Sequence, residues 1–107
     1  MSNVNSILII GLGMIGSSIA LSSKSKGLKV SGFDLDSSIN DIAIKDNIID
    51  KSAESLEEIN SQEYIKDIDL VVIAVPPKQT LDVILNLDQI WNTKTTIVIL
   101  FSFSNAG

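Results

Sequence analysis

Apolar residues along this chain occur in short continuous runs that alternate with stretches of helical periodicity. A parallel strand covered on both faces carries apolar side chains at nearly every position, so the continuous runs predict buried strands. Two further runs, in which apolar and polar residues are mixed, each predict a strand. The first of these strands ends just before Asp34, and the other is a short edge strand. In chain order, the predicted strands are residues 5–10, 29–33, 48–53, 69–75 and 95–101.

The segments between the strands carry apolar residues every three or four positions, as amphipathic helices do. Helices are predicted over residues 14–26, 38–46 and 78–91, and a capping box at 55–58 predicts a short acidic helix. Gly27 is expected to end the first helix in a left-handed conformation. The apolar stripes of the three longer helices are Ile15, Ile19 and Ala20, then Ile39, Ile42 and Ala43, then Leu81, Ile84, Leu85 and Trp91. The first three are expected to be buried, and Trp91 is expected to pack rather than to stack on a ligand.

Strands and helices that alternate in this way, joined by right-handed crossovers, form a doubly wound α/β fold of the Rossmann type. The simplest strand order for the parallel sheet is 3-2-1-4-5. The 107 residues are expected to form one domain, with the sheet truncated after about the fifth strand. In such a sheet a ligand binds beyond the carboxyl ends of the first and fourth strands, where the strand order reverses.

The first predicted strand ends in a glycine motif, Gly11-x-Gly13-x-x-Gly16, that leads directly into the first helix. Gly11 permits a sharp turn, Gly13 lets main-chain N–H groups approach a phosphate, and Gly16 lets the helix pack closely against the sheet. The unpaired N–H groups and the positive dipole end of the helix then face the anion. This order of strand, turn and helix predicts a dinucleotide pyrophosphate site, and residues 1–107 are interpreted as a single dinucleotide-binding domain.

Asp34 follows the second predicted strand, where this fold places an acidic residue that accepts hydrogen bonds from the adenine ribose hydroxyls. The alternative is that Asp34 only begins a turn or caps the next helix. Asp36 lies close by and the chain has no arginine, so a 2′-phosphate would meet like charge and no guanidinium group. The cofactor is therefore expected to be NAD in preference to NADP.

The predicted strand at 69–75 ends in Val75, Pro76 and Pro77, which face the glycine loop across the expected ligand crevice. The two prolines remove N–H donors and stiffen the loop, which suits a wall beside the nicotinamide ribose. The alternative interpretation is that the two prolines only end the strand. Both interpretations remain open at this level.

The composition and charge of the chain argue against several classes of partner. With 8 basic and 13 acidic residues the net charge is −5, and no basic stripe is present, so a nucleic-acid partner is not expected. No apolar run approaches the roughly 18 residues that span a bilayer, so no membrane partner is expected. The absence of cysteine excludes disulfides and favours a cytoplasmic location. The glutamates between 54 and 63 are interpreted as a solvated helix face rather than a metal site.

Four segments resemble the N-terminal domain of prephenate/arogenate dehydrogenases, and they are residues 11–20, 32–34, 48–50 and 69–76. The resemblance extends over residues 7–99 and implies NAD(P)-dependent oxidative decarboxylation of prephenate or arogenate on the route to tyrosine. The competing matches are other hydroxyacid dehydrogenases and imine reductases, of the 3-hydroxyisobutyrate and pyrroline-carboxylate types. By position, the resemblance implies pyrophosphate contacts by Gly11, Leu12, Gly13, Met14, Ile15 and Gly16, a ribose contact by Asp34, and nicotinamide contacts by Val75 and Pro76.

The chain departs from this family beyond the fifth strand. Family members place a catalytic histidine there, whereas this chain contains no histidine. An Asp-x-Gly-Ser-x-Lys-like segment of the family is also missing, and Ser102 or Ser104 are the only weak candidates for its serine. No catalytic residue is assigned, and the helical domain that binds substrate and forms the dimer is expected to be absent.

Three hypotheses follow from this incomplete match. The first is a dehydrogenase NAD-binding domain that is catalytically incomplete alone and is completed by a separate substrate-domain chain or other sequence. The second is a stand-alone NAD(H)-sensing regulatory module, which would act as a homodimer that responds to NADH. The third is a remnant that folds poorly.

Overall fold

The computed structural model describes residues 4–100, and in them it contains a five-stranded, all-parallel sheet. The strand order is β3-β2-β1-β4-β5, which confirms the predicted doubly wound topology. The strands are β1 (Ser6–Ile10), β2 (Lys29–Phe33), β3 (Lys51–Ser52), β4 (Leu70–Ile73) and β5 (Thr96–Ile99). The strand pair β1 and β4 therefore lies at the reversal point, where a ligand crevice is expected.

The helices follow the predicted pattern with two differences. They are α1 (Met14–Ser25), α2 (Ser37–Lys45), α3 (Leu56–Ile59), α4 (Gln62–Ile65) and α5 (Pro77–Asn86), followed by a 3₁₀ turn at Ile90–Asn92. The short acidic helix is confirmed as α3, with the Ser55 hydroxyl accepting from the main-chain N–H of Glu58. The sequence analysis missed α4, which has a similar serine cap at Ser61. Gly27 has a φ of 84°, so the predicted left-handed stop after α1 is confirmed.

The prediction of one continuous helix over 78–91 is wrong, because α5 ends at Asn86. In an uninterrupted helix the N–H of Gln89 would donate to a carbonyl one turn earlier. Here it donates instead to the side-chain oxygen of Asn60, at 2.7 Å, and the Asn60 amide nitrogen donates to Asp88 at 2.9 Å. The indole N–H of Trp91 donates to the carbonyl of Ile84 at the end of α5, so Trp91 has a structural contact.

The core occupies both faces of the sheet, because the central strand is buried on both sides. Leu8 and Ile10 pack in a cluster with side chains of α3, α4 and α5, whereas Ile7 and Ile9 pack in a second cluster with α1 and α2. These four side chains are at most 3% exposed. The continuous apolar run of β1 thus has the cause that the sequence analysis assigned to it.

The apolar stripes of the helices were predicted less well than the strands. Ile15 was expected to be buried and is 47% exposed, because α1 contacts the sheet through Gly16 and Ala20. Several other members of the stripes lie more than 50% exposed, and these are Ile42, Leu81 and Leu85. Within residues 4–100 no helix is long and apolar enough to cross a membrane.

Candidate functional site

A cavity of about 880 Å³ lies at the carboxyl ends of β1, β2 and β4, where the predicted site residues converge. The predicted residues that line it are Gly11, Gly13, Met14, Ile15, Asp34, Val75 and Pro76. Leu12 and Gly16 are buried beneath the lining. The loops after the three strands therefore form one continuous surface, as expected for a ligand that spans the reversal point.

Gly11 makes the turn off β1 in a conformation that other residues rarely adopt. Its φ is 101°, and a Cβ at this position would lie 2.5 Å from the carbonyl oxygen of Ala74. Its N–H donates to the carbonyl of Phe33 at 2.7 Å. Glycine is required here both by the backbone angle and by the close approach of the loop after β4.

The two other glycines of the motif have opposite surroundings. A Cβ on Gly16 would collide with the carbonyl oxygen of Gly11, so this glycine lets α1 pack on the loop. A Cβ on Gly13 would have no protein atom within 4 Å, and its φ of −72° suits any residue. Neither packing nor backbone conformation therefore requires glycine at position 13. The remaining physical reason is close access to the main chain from the cavity.

The N-terminus of α1 opens at this point without a side-chain cap. Gly13 is the N-cap residue, and no acidic residue lies in the first turn of the helix. The Ser17 hydroxyl donates to the carbonyl of Leu12 at 2.8 Å, so it does not cover the helix end. The first N–H groups of a 12-residue helix are thus available for an anion.

Asp34 lies directly after β2, and its carboxylate is fixed by two main-chain donors. The N–H of Leu12 donates to Oδ2 at 2.8 Å, and the N–H of Asp36 donates to Oδ1 at 2.9 Å. The turn suggested as an alternative role is therefore present. However, the residue that caps α2 is Asp36, whose carboxylate accepts from the N–H of Ser38. Each Asp34 oxygen keeps a second lone pair for a further donor.

The cap also affects the charge of Asp36. Hydrogen bonds from the hydroxyl and the main-chain N–H of Ser38 lower the pKa of the Asp36 carboxyl below its ordinary value of 3.8. Asp36 is exposed and lies two residues from Asp34, but it does not line the cavity itself.

Other residues near Asp34 were missed by the sequence analysis. The side-chain amide of Asn40 pairs with both main-chain groups of Asp34, each at 2.8 Å. Leu35 and Ile39 line the cavity beside Asp34 and give it an apolar wall. The one local signal in the sequence was an apolar residue directly after the acidic one. That residue is Leu35, which is 52% exposed in the structure.

The loop after β4 forms the other side of the cavity. Val75 is buried, whereas Pro76 and Pro77 are exposed and belong to the start of α5, with Pro77 as its first residue. Proline is favoured there because the first helical N–H has no partner within the helix. The prolines therefore start a helix and also line the cavity, so the two interpretations of this loop are compatible.

Among the described residues that line the cavity, Lys78 carries the only positive charge and Asp34 the only negative charge. Ser102 and Ser104 lie outside the described residues. Within residues 4–100 no group of three histidine, cysteine or acidic side chains could hold a metal ion. The described geometry suits binding of an extended anion with a hydroxyl-bearing end.

Comparison with known proteins agrees with this geometry. A family model described as the NAD binding domain of 6-phosphogluconate dehydrogenase matches residues 6–106. No curated protein sequence matches the chain significantly.

Solved structures share the fold at low sequence identity. Prephenate dehydrogenase from A. aeolicus, in complex with hydroxyphenyl propionate and NAD+, superposes with a TM-score of 0.80 and 22% identity over 98% of this chain. Synechocystis arogenate dehydrogenase gives 0.70 and 20% over 92%, and Streptomyces aurantiacus imine reductase gives 0.71 and 21% over 92%. The chain spans only 36%, 33% and 32% of these three proteins.

Proposed function

The chain belongs to the family of the NAD binding domain of 6-phosphogluconate dehydrogenase, and we propose on that premise that its glycine-lined cavity holds the dinucleotide with the pyrophosphate over Gly13. The observation that carries this proposal is the contrast between the glycines. Gly11 and Gly16 are required by packing, whereas Gly13 faces open space at the uncapped end of α1. A phosphate fits this cradle because it meets free N–H groups and no Cβ.

The other parts of the dinucleotide follow from the order of the loops. The adenine ribose lies at Asp34, whose carboxylate retains acceptor capacity for its hydroxyls. The adenine ring lies against Leu35 and Ile39, and the nicotinamide half lies beside Val75 and Pro76. The resemblance implies a pyrophosphate contact by Leu12; we propose that Leu12 contributes by holding the Asp34 carboxylate, to which its N–H donates at 2.8 Å.

A preference for NAD over NADP follows from the charges at the β2 end of the cavity. A 2′-phosphate carries about −1.5 to −2 charge, and it would approach Asp34, the acidic residue of the lining, with Asp36 two residues farther along the chain. The Asp36 carboxylate also occupies the N–H of Ser38, which would otherwise be available to a phosphate at the N-terminus of α2. Lys78 is the positively charged residue of the cavity lining. It follows β4, which lies on the other side of β1 from β2.

Equilibrium titration with NADH and NADPH, followed by nicotinamide fluorescence, tests both proposals. We expect saturable NADH binding and weaker NADPH binding. Asp34→Ala is expected to weaken NADH binding about 10- to 150-fold, because hydrogen bonds to a charged group contribute about 1.5–3 kcal/mol. Asp41→Ala removes the same charge from an exposed position on α2 and is the matched control.

Two results would contradict the proposals separately. A folded protein that binds neither nucleotide would exclude the dinucleotide site. Equal affinity for NADH and NADPH would exclude only the preference for NAD.

We further propose that the domain serves a prephenate or arogenate dehydrogenase that is completed by a histidine-bearing substrate domain. The resemblance of residues 11–20 and 69–76 supports this substrate class, as does the fold shared with the A. aeolicus enzyme. When bound, the nicotinamide would accept hydride from the substrate ring. This chain would orient the nicotinamide, and the base would come from elsewhere, since the chain has no histidine.

The test is NADH formation from prephenate or arogenate with NAD. No turnover is expected from the 107-residue chain alone, and turnover is expected once a histidine-bearing substrate domain is added in trans. Turnover of a simple 3-hydroxy acid in the complemented mixture, without turnover of either cyclohexadienol, would assign the domain to another dehydrogenase class.

A further inference from the structure

The side chain of Asn40 pairs with the main chain of Asp34 as a neighbouring strand would. Its Oδ1 accepts from the N–H of Asp34, and its Nδ2 donates to the carbonyl of Asp34, both at 2.8 Å. One planar amide therefore satisfies both main-chain groups of one residue. Both bonds have ideal length, and Asn40 lies in the first half of α2.

The pairing between Asn40 and Asp34 lies just beyond the end of the hydrogen-bonded strand ladder. The last registered residue of β2 is Phe33, which pairs with Ile10 of β1, and the short strand β3 pairs only with Ser31 and Gly32. Asp34 thus lies one residue past the strand ladder. Its main-chain position is set by the Asn40 amide, which ties it to α2.

The side chain of Asp34 is held as well, because the N–H groups of Leu12 and Asp36 donate to its carboxylate. With the main chain held by Asn40 and the carboxylate held by these two donors, no part of Asp34 is free to move alone. A binding group that is already ordered loses less entropy when the ligand arrives. Loss of the Asn40 amide would release the main chain and let the carboxylate leave its position.

We propose that Asn40 is a positioning residue for the ribose-binding carboxylate of Asp34. This inference rests on the proposed function of Asp34 and extends it to a residue that does not itself line the cavity. A merely structural role for Asn40 predicts something different, namely a loss of stability whose effect on binding is independent of Asp34.

A double-mutant cycle distinguishes the two roles. NADH affinity is measured for the parent chain, Asn40→Ala, Asp34→Ala and the double variant. Loss of the two hydrogen bonds that hold the Asp34 main chain is expected to make Asn40→Ala bind NADH about five- to tenfold more weakly. In the Asp34→Ala background the same change is expected to have less than about a twofold effect, since the carboxylate to be positioned is gone.

The matched control is Asn60→Ala, which also removes an asparagine that accepts from one main-chain N–H and donates to a second residue. It is expected to leave NADH affinity unchanged. If Asn40→Ala does not fold, Asn40→Asp replaces it, because a carboxylate can still accept from the Asp34 N–H but cannot donate to the carbonyl. Amide hydrogen exchange without nucleotide is expected to speed up at Leu12 in either variant, and at Asp34 in Asn40→Ala, which removes the acceptor of the Asp34 N–H.

The outcomes separate this inference from the proposed function. Non-additive effects on affinity together with faster exchange at Leu12 support it. Equal fold-changes in both backgrounds overturn it while leaving the dinucleotide site intact. If the folded parent chain does not bind NADH at all, the proposed function fails, and the positioning role fails with it.

Discussion

The main-chain N–H of Leu12 donates to the carboxylate of Asp34 across 2.8 Å, which joins the glycine loop after β1 to the tip of β2. Leu12 is 4% exposed, so few other partners can reach its N–H. The acidic residue expected to bind ribose is therefore also part of the scaffold that shapes the loop. Substitutions at Asp34 therefore affect both ribose binding and the shape of the glycine loop. The stability of the nucleotide-free protein reports on the second of these effects alone.

Asp34→Ala is expected to lower the free energy of unfolding by about 1–3 kcal/mol, because it leaves the N–H of Leu12 buried without an acceptor. Asp34→Asn is expected to cost less, since its amide oxygen can still accept from that N–H. Urea unfolding of the nucleotide-free protein measures both values. An equal loss for the two variants would show that the charge, and not the acceptor, is what Leu12 requires.

Substitutions at Gly13 and Gly16 are expected to separate binding from folding. Gly13→Ala places its methyl group in open space, so stability is expected to fall only by the cost of alanine at an N-cap, about 1 kcal/mol, while NADH affinity falls about tenfold or more. Gly16→Ala drives its methyl group into the Gly11 carbonyl and is expected to cost about 3 kcal/mol of stability. Thermal unfolding and NADH titration of both variants check the contrast. A loss of stability in Gly13→Ala as large as that in Gly16→Ala would contradict the open surroundings of Gly13.

Asp36→Ser is expected to relax the preference for NADH by strengthening NADPH binding. Serine still caps α2, so the helix is retained, but one of the two neighbouring carboxylates that follow β2 is gone. For an exposed charge the gain in NADPH affinity is expected to be about threefold, with NADH affinity unchanged. The gain should shrink as salt is added. Asp41→Ser removes the same charge farther along α2, and an equal gain there would show a general charge effect.

Asp69 is expected to contribute stability that disappears in acid. The N–H groups of Asn5 and Ser6 donate to its carboxylate and lower its pKa below the usual 3.8. Because the folded-state pKa is the lower one, the contribution is complete above 3.8 and is lost as the pH falls through the folded-state value. The melting temperature of Asp69→Asn should therefore be below that of the parent chain at pH 7, and the difference should shrink below pH 4.

Melting curves between pH 2 and pH 7 test this prediction. Asp82→Asn, an exposed carboxylate on α5, controls for the loss of one negative charge. A difference between Asp69→Asn and the parent chain that stays constant down to pH 2 would contradict the assigned role.

The strands, their order and the glycine turn could be predicted from the amino-acid sequence. Each depends on local patterns, since a strand buried on both faces must be apolar throughout and a turn with φ of 101° at Gly11 needs glycine. The glycine motif and the strand order predicted the dinucleotide cleft, and the resemblance of short segments added the expected substrate class. Helical stripes were predicted less well, because the face of α1 that packs includes Gly16, which a hydrophobic pattern does not weight.

The contacts between distant segments could not be predicted in this way, because they depend on how the elements pack. Leu12 and Asp34 are 22 residues apart, and Gln89 and Asn60 are 29 apart, yet the first pair shapes the cofactor site and the second ends α5. Asn40 is close to Asp34 in the chain, but its amide reaches the Asp34 main chain only because α2 folds back beside the tip of β2. A side-chain hydrogen bond depends on where packing places both partners, and that information is absent from the periodicity of either segment.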